Sequence, residues 1–226
     1  MKVIRFHEIL SFFFLVSIAI LSSFFTLKLL ESYFSVTTKL DFINVSIFIF
    51  TFMTYTFAIY NFILWRLPLP TGLIPNQKRL NWIYHLHTLY FLLFFQPLII
   101  SNICPVPFRR KFYQLLGAKL GFNSYPAGII LDPQFVEIGD YCIIGFNSLI
   151  CPHILTVGNI AHEKVNIGNN VTISVGVTIY GGTTIENGAK VLPHAVVNPH
   201  TYIKAGEVWG GIPARKIKES SEVIAS

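Results

Sequence analysis

The sequence predicts an α-helical membrane hairpin with interfacial helices, followed by an all-β domain in which a parallel β-helix is built from six-residue repeats. Hydrophobic residues make up 53% of the 226 residues and charged residues only 12%, about half of what a soluble domain usually carries. The shortage of charge is confined to the N-terminal half, where three long runs hold no Lys, Arg, Asp or Glu. In the C-terminal half, aliphatic residues recur at every sixth position.

The first two uncharged runs, 9–27 and 42–65, predict a transmembrane hairpin over residues 1–66. A helix needs about 20 apolar residues to cross a bilayer, and both runs have that length. A cleaved signal peptide is the alternative for the first run. Its apolar core would be about 7–15 residues long and would end at a site of small residues, which Ser22-Ser23-Phe24-Phe25 does not provide.

The charges that flank these runs predict the orientation of the hairpin. Lys2 and Arg5 precede the first run, and Arg66, Lys78 and Arg79 follow the second. Lys and Arg concentrate on the cytoplasmic side of a membrane protein. We therefore expect a multi-pass protein of the cell membrane with both termini, and the catalytic domain, in the cytoplasm.

A third uncharged run covers residues 80–108 and is harder to place. A crossing here would move the basic cluster that starts at Arg109 to the outer side, against the charge rule. His85 and His87 also interrupt the apolar character of the run. We expect helices in the membrane interface over residues 67–117, and a third span remains the alternative.

The six-residue repeat predicts a β-helix over residues 118–226. Each hexad forms a strand and a turn, three hexads close one triangular coil, and coils must stack because one coil has no core of its own. An antiparallel β domain would instead alternate with period two. The aliphatic positions of the six-residue repeat are Ile138, Ile144, Ile150, Ile167, Ile173, Ile179, Ile185, Val191, Val197 and Ile203.

The repeat is interrupted between Ile150 and Ile167, whose spacing is not a multiple of six. We therefore expect a loop of roughly residues 155–166 to leave the β-helix. His153 stands just before this loop, and histidine is the side chain whose ordinary pKa suits a general base near neutral pH. The alternative for His153 is an exposed turn residue.

The repeat and the closing segment Trp209-Gly-Gly-Ile-Pro-Ala-Arg-Lys-Ile resemble the bacterial hexapeptide-repeat acyltransferases, which include serine, galactoside, maltose and xenobiotic acetyltransferases. The resemblance extends from about Leu120 to Lys218. It implies a left-handed coil, a homotrimer with sites between subunits, and acyl-CoA as a co-substrate, with no permanently bound cofactor and no metal. The membrane region has no counterpart in the common soluble members.

The same resemblance implies roles for single residues. His153 resembles the family's catalytic base, and Asn147 aligns with an asparagine that contacts the acceptor. His162 and Glu163 lie in the predicted loop, where they are candidates for acceptor binding, and His162 is an alternative base. We expect the neighbouring His194 and His200 to decorate turns. The candidates for CoA binding are Ala195, Gly210, Gly211, Arg215 and Lys216, although Leu192-Pro193-His194 replaces a Gly-Ala-Gly found in many relatives.

Two other functions are compatible with this fold. A γ-class carbonic anhydrase would bind zinc through three histidines, and a non-catalytic membrane scaffold would use the repeat as a platform. The sequence leaves the acceptor open, and the membrane tether favours a lipid-linked or envelope saccharide. The formal charge of +6 comes without a nucleic-acid motif, so we expect no nucleic-acid partner. Three cysteines give neither a disulfide framework nor zinc spacing.

Overall fold

The computed structural model describes residues 4–34, 41–74, 77–156 and 159–219. It divides into two compact units. One contains residues 3–69 and 78–90, and the other contains residues 70–77 and the chain from Phe91 onward.

The first unit consists of three helices: α1 (Phe6–Phe34), α2 (Asp41–Arg66) and α3 (Lys78–Tyr90). Many of their large apolar side chains point outward, and Phe14, Phe50 and Trp65 are each more than two-thirds exposed. A helix that is apolar on its outer face suits a lipid environment. The predicted run 9–27 lies within α1, and the run 42–65 lies within α2.

Three helical stretches in the described part of the chain are long and apolar enough to cross a membrane: Phe6–Tyr33, Phe42–Arg66 and Lys78–Ile100. The third begins with α3 and continues through a π-helix (Phe91–Phe95) and α4 (Gln96–Ile100). This stretch is long enough to cross a bilayer, whereas the sequence predicted interfacial helices in this region.

Polar contacts join the three helices of the first unit. Oε2 of Glu8 lies 2.7 Å from Nδ1 of His85, and both side chains are buried. The indole of Trp82 donates to the hydroxyl of Ser11 at 3.0 Å. Hydrogen bonds of this kind fix helices against one another where apolar packing alone gives little specificity.

Besides residues 70–77, the second unit contains the π-helix, α4 and α5 (Val106–Leu115), and α5 covers the first coil of the β-helix. The buried hydroxyl of Tyr113 donates to the Gly128 carbonyl at 3.0 Å and accepts from the Ile130 amide at 3.1 Å. Arg109 was counted in the basic flank from sequence, but it is buried and donates to the Ala127 carbonyl. These contacts satisfy backbone groups that the end of a β-helix would otherwise expose.

The strands of the second unit are β1 (Gly72–Leu73), β2 (Lys119–Leu120), β3 (Tyr125–Pro126), β4 (Ile129–Ile130), β5 (Val136–Ile138), β6 (Ile143–Ile144), β7 (Leu149–Cys151), β8 (His153–Thr156), β9 (Asn159–His162), β10 (Val165–Ile167), β11 (Thr172–Ile173), β12 (Thr178–Tyr180), β13 (Thr184–Ile185), β14 (Lys190–Val191), β15 (Val196–Val197), β16 (Tyr202–Ile203), β17 (Glu207–Gly210) and β18 (Arg215–Glu219). In the described residues, four complete coils and part of a fifth stack into three sheets. Sheet one has the strand order β16-β13-β10-β5-β2, sheet two β18-β17-β14-β11-β6-β3, and sheet three β15-β12-β7-β4. Neighbouring strands in these sheets are parallel, except that β18 is antiparallel to β17.

The strand register confirms the six-residue repeat. Ile138, Ile167, Ile185 and Ile203 pair in sequence along sheet one, and all of these side chains are buried. Another repeat position, three residues after the aliphatic one, adopts the left-handed backbone conformation at the corners, except after Ile150, where the chain leaves the β-helix. The residues there include Tyr141, Asn147, Asn170, Gly176, Gly182, Gly188, His194, His200 and Gly206.

The segment that leaves the β-helix is a hairpin, and the sequence prediction of a loop over 155–166 was wrong in form. Strands β8 and β9 pair antiparallel, with His153 opposite His162, and β1 adds a third strand beside β9. The departure therefore begins at His153. Pairing satisfies backbone groups that a loop would leave to water. The hairpin tip at 157–158 lies outside the described residues.

Candidate active site

His153 lies where the chain leaves sheet three. It follows β7 and Pro152, and its side chain is 27% exposed. A groove of about 280 Å³ opens beside it, and the hairpin and the neighbouring coils form its walls. The groove is lined by Cys151, His153, Ile154, Leu155, Tyr180 and Pro199. His153 therefore meets solvent through an opening whose walls are mostly apolar.

Asp132 is the partner of His153. Nδ1 of the imidazole lies 2.5 Å from Oδ2 of Asp132. Ile130 pairs with Ile150 in sheet three, so the residues just after these two strands come together at the same corner. Asp132 has a left-handed backbone, with φ of 45°, which is uncommon for a residue other than glycine and turns its carboxylate toward the histidine.

This contact changes the acid–base properties of the imidazole. The hydrogen bond that Nδ1 donates to Asp132, followed by the contact with Cys151, raises the pKa of His153 to about 10 from an ordinary value of 6.5, against the lowering effect of burial. Because Nδ1 faces the carboxylate, it is the nitrogen that keeps a proton. Nε2 is then the atom that can exchange a proton with a substrate.

His162 has a different environment. Its ring is buried and stacks on Phe135, with ring centroids 4.6 Å apart and an angle of 14° between the planes. The structure thus gives this ring a packing contact beneath the hairpin, although His162 lies opposite His153 in the strand register.

Glu163 forms an ion pair with His200, with Oε2 3.0 Å from Nδ1. Its amide also donates to the Pro152 carbonyl at 2.9 Å. The chain passes close to Gly182 here. A Cβ at Gly182 would lie 2.5 Å from Nδ1 of His200 and 2.8 Å from Oε2 of Glu163. The sequence predicted His200 as a turn residue. Through its ion pair with Glu163, it also holds the residue that follows the hairpin.

Asn147 precedes β7 and His153 follows it, so the two residues lie at opposite ends of this strand, which are here called opposite edges of sheet three. It is exposed at the corner before β7 and has φ of 56°. The described residues that line the groove of His153 do not include it. Within one chain, the structure does not bring these two sequence-predicted residues together.

The residues predicted to bind CoA gather at the same edge as Asn147. Ala195 immediately precedes β15, and the amide of the next residue, Val196, donates to the Gly211 carbonyl at 3.0 Å. Gly210 ends β17, and Arg215 begins β18 opposite it. The methyl group of Ala195 is buried inside the prism, so only its backbone faces this corner.

The two basic side chains of this segment differ in their contacts. Arg215 is exposed and donates to the Ala214 carbonyl at 3.1 Å. Nζ of Lys216 lies 3.0 Å from Oε1 of Glu207, which offsets its charge locally. The positive charge of Arg215 is thus the more accessible of the two to an anion.

Sequence reasoning missed Asp132. It precedes His153 by 21 residues, which is not a multiple of six, because the first coil has irregular strand spacing. The stacking of Ile130 on Ile150 would have indicated the contact, but that pairing is visible only in the folded chain. Tyr180 and Pro199 were missed for the same reason, since each reaches the groove from a later coil.

No known family model and no curated protein matches this chain. Among solved structures, it resembles a hexapeptide-repeat acetyltransferase from Vibrio cholerae solved with acetyl-CoA, with 21% identity, a TM-score of 0.42, and coverage of 46% of this chain and 60% of that chain. A maltose O-acetyltransferase from Clostridium difficile gives 30% identity, a TM-score of 0.40, and coverage of 44% and 57%.

A galactoside acetyltransferase in complex with CoA gives 28% identity, a TM-score of 0.43, and coverage of 47% of this chain and 56% of that chain. The chain spans less than two thirds of the length of each of these three structures. The neighbours are acetyltransferases, and two of the three were solved with acetyl-CoA or CoA bound.

Proposed function

We propose that this protein is a membrane-anchored acyltransferase that moves an acyl group, an acetyl group in the first instance, from acyl-CoA to a hydroxyl or amine acceptor. The observation that carries the proposal is the pairing of His153 with Asp132 at the mouth of an open groove. A histidine held by a carboxylate, with its second nitrogen toward solvent, is an arrangement suited to general base catalysis.

In this mechanism, Nε2 of His153 takes the proton of the acceptor while the acceptor oxygen or nitrogen attacks the thioester carbonyl. The new bond to the acyl carbon forms as the carbon–sulfur bond breaks. The proton then passes from the imidazolium to the departing CoA thiolate. Asp132 keeps Nδ1 protonated and stabilises the imidazolium between these two transfers.

Acyl-CoA enters as a substrate, and we assign its binding to the corner formed by Ala195, Gly210 and Gly211. Arg215 supplies a permanent positive charge for a CoA phosphate, with Lys216 beside it. For the acceptor we propose Asn147, at the same edge of sheet three, and Glu163 in the hairpin region. The ring of His162 is buried against Phe135, so we propose that it supports the hairpin and does not contact the acceptor.

A homotrimer of left-handed β-helices would bring the two sets of residues together. His153 and the CoA-binding residues lie at opposite edges of sheet three in one chain, so a neighbouring subunit is needed to unite them. The corner that carries Asn147 also exposes apolar side chains in successive coils, Phe146, Val175 and Leu192. Exposed apolar rows of this kind favour burial between subunits. We expect sedimentation in mild detergent to give a trimer, and an active monomer would contradict this.

For the membrane region, we propose two crossings by α1 and α2, with both termini and the β-helix in the cytoplasm. The basic residues that precede α1 and follow α2 support that orientation. A tethered transferase has direct access to acceptors at the bilayer, which favours a lipid-linked or envelope saccharide.

The test is transfer itself. The purified chain is incubated with a series of acyl-CoAs and a membrane extract, free thiol is followed over time, and new acylated species are identified by mass. We expect thiol release that depends on both His153 and the extract. Bicarbonate dehydration with bound zinc would instead favour the lyase, and no CoA binding would favour the scaffold.

A further inference from the structure

The three helices of the first unit enclose a groove of about 530 Å³ that the acyl transfer does not use. Its floor is formed by Ile63 and Leu86, which are almost fully buried. Its walls carry further apolar side chains from α1 and α2, namely Leu10, Phe14, Leu15, Ile59 and Phe62. The walls are partly exposed, so the groove opens to the side of the helices.

The groove is polar at one end only. His7 lies in the first turn of α1, and Arg66 is the last residue of α2, so both mark the end of the hairpin at which the basic flanks meet. Trp82 and Ser11 lie nearby and are hydrogen-bonded to each other. From His7 to Leu15, α1 rises about 12 Å, and the lining along that distance is mostly apolar.

No carboxylate lines this groove among the described residues. The nearest along the chain, Glu8, is turned away into the buried contact with His85. Within the described part of the chain, the polar end therefore offers a guanidinium and an imidazole to an anion, beside the indole that already donates to Ser11. Arg66 also lies over the ring of Trp65, with its guanidinium carbon 5.2 Å from the ring centroid.

We infer that this groove binds one anionic phospholipid, with the lipid phosphate at Arg66 and His7 and an acyl chain along the apolar walls. The charge at one end and the apolar length behind it match the two parts of such a lipid. Arginine suits phosphate because its planar fork is always charged. The inference rests on the membrane placement proposed above, and it concerns a site separate from the β-helix.

Trp82 reports on the groove from within, and Trp65 reports on the bilayer from the exposed surface of α2. Two full-length variants each keep one of these indoles, with the other and Trp209 changed to Phe. Each is placed in vesicles that contain either brominated phosphatidylglycerol or brominated phosphatidylcholine, because bromine quenches a nearby indole. We expect Trp65 to be quenched equally by both lipids and Trp82 to be quenched more strongly by phosphatidylglycerol.

Arg66→Gln should lower the preference of the groove for phosphatidylglycerol about fivefold, the effect of losing one basic side chain near an anionic surface. The matched control is Arg79→Gln, which removes the same charge from α3 outside the groove lining and should leave the preference unchanged. Equal losses in both variants would reduce the effect to general surface attraction and overturn the inference.

The remaining outcomes separate the groove from the membrane placement. If Trp65 is not quenched by either lipid, the membrane placement itself fails. If Trp65 is quenched and Trp82 is not, another part of a protein covers the groove, such as a second copy of this chain, and the lipid site is wrong. If Trp82 responds equally to both lipids, the groove takes acyl chains without selecting an anion, and the assignment of Arg66 and His7 is wrong.

Discussion

The pair of His153 and Asp132 makes a prediction about pH that a simple loss of activity would not test. With Asp132 in place, the pKa of His153 is raised to about 10. Asp132→Asn removes the charge and keeps the shape, so this pKa should return toward its ordinary value of 6.5. The base form is lost as the pH falls through the pKa, and the asparagine variant should therefore keep its base form to a lower pH.

Two opposing effects follow near neutral pH. At pH 7.5, a group with a pKa of about 10 is neutral in roughly 0.3% of molecules, and one with a pKa of 6.5 in roughly 90%. The variant thus gains at most about 300-fold in the population of the base, because the raising effect of Cys151 is still present. It also loses the stabilisation of the imidazolium and its correct tautomer, and general acid–base contributions are typically about 100- to 10,000-fold. These factors overlap in size, so a rate measured at one pH is not decisive.

The assay is therefore the pH dependence of kcat/KM between pH 5.5 and 10, measured by thiol release from acyl-CoA. We expect the wild-type rate to rise tenfold per pH unit over most of this range, and the Asp132→Asn rate to level off above about pH 7 at a lower plateau. Asp140→Asn is the matched control, because an amide oxygen can still accept from the Phe122 amide that Asp140 now binds. The reasoning is refuted if Asp132→Asn lowers the rate without moving the pH limb.

Four further predictions follow from the same structure. His153→Ala should lower kcat by about 100- to 10,000-fold with unchanged CoA affinity. His162→Ala should retain more activity and lower the melting temperature, because the ring of His162 packs on Phe135. A larger loss of kcat in His162→Ala than in His153→Ala would identify His162 as the base. Arg215→Ala should raise the KM for acyl-CoA by an amount equivalent to about 1.5–3 kcal/mol, and an unchanged KM would place the phosphate elsewhere. Tyr113→Phe should lower the free energy of unfolding by about 1–3 kcal/mol in thermal denaturation, because two buried backbone partners lose their hydrogen bonds. A reporter fused after Ser226 should behave as cytoplasmic, and efficient external labelling would contradict the two-span orientation.

The repeat could be predicted from sequence because each coil imposes the same requirement on the chain. The interior of a narrow prism accepts only an aliphatic side chain at the repeating position, so Ile173 and Ile179 carry the same information. The corner position three residues after each aliphatic was not recognised, because Asn147, Gly176 and His194 share a backbone conformation and no common side chain.

The site was less accessible to prediction because it depends on departures from the repeat. His153 was predicted as a site residue because the register breaks beside it. Asp132 was not, because the coil in which it lies has irregular strand spacing and its contact with His153 arises only when β4 stacks on β7. His162 looked like a solvated loop residue in sequence, since nothing there reveals that Phe135 lies against its ring.

The hairpin that begins with His153 is paired with a strand from much earlier in the chain. The chain leaves α2 at Arg66 and by Gly72 has become β1, which pairs with β9 of the hairpin, and β9 pairs in turn with β8, where His153 stands. Only a short linker separates the last residue of α2 from this pairing. The strand that begins with His153 is therefore held by the chain before it and by its hydrogen bonds to β9. A base must be held within a fraction of an ångström of its working position. We therefore interpret β1 as the strand that fixes the hairpin, and with it the backbone of His153, in place.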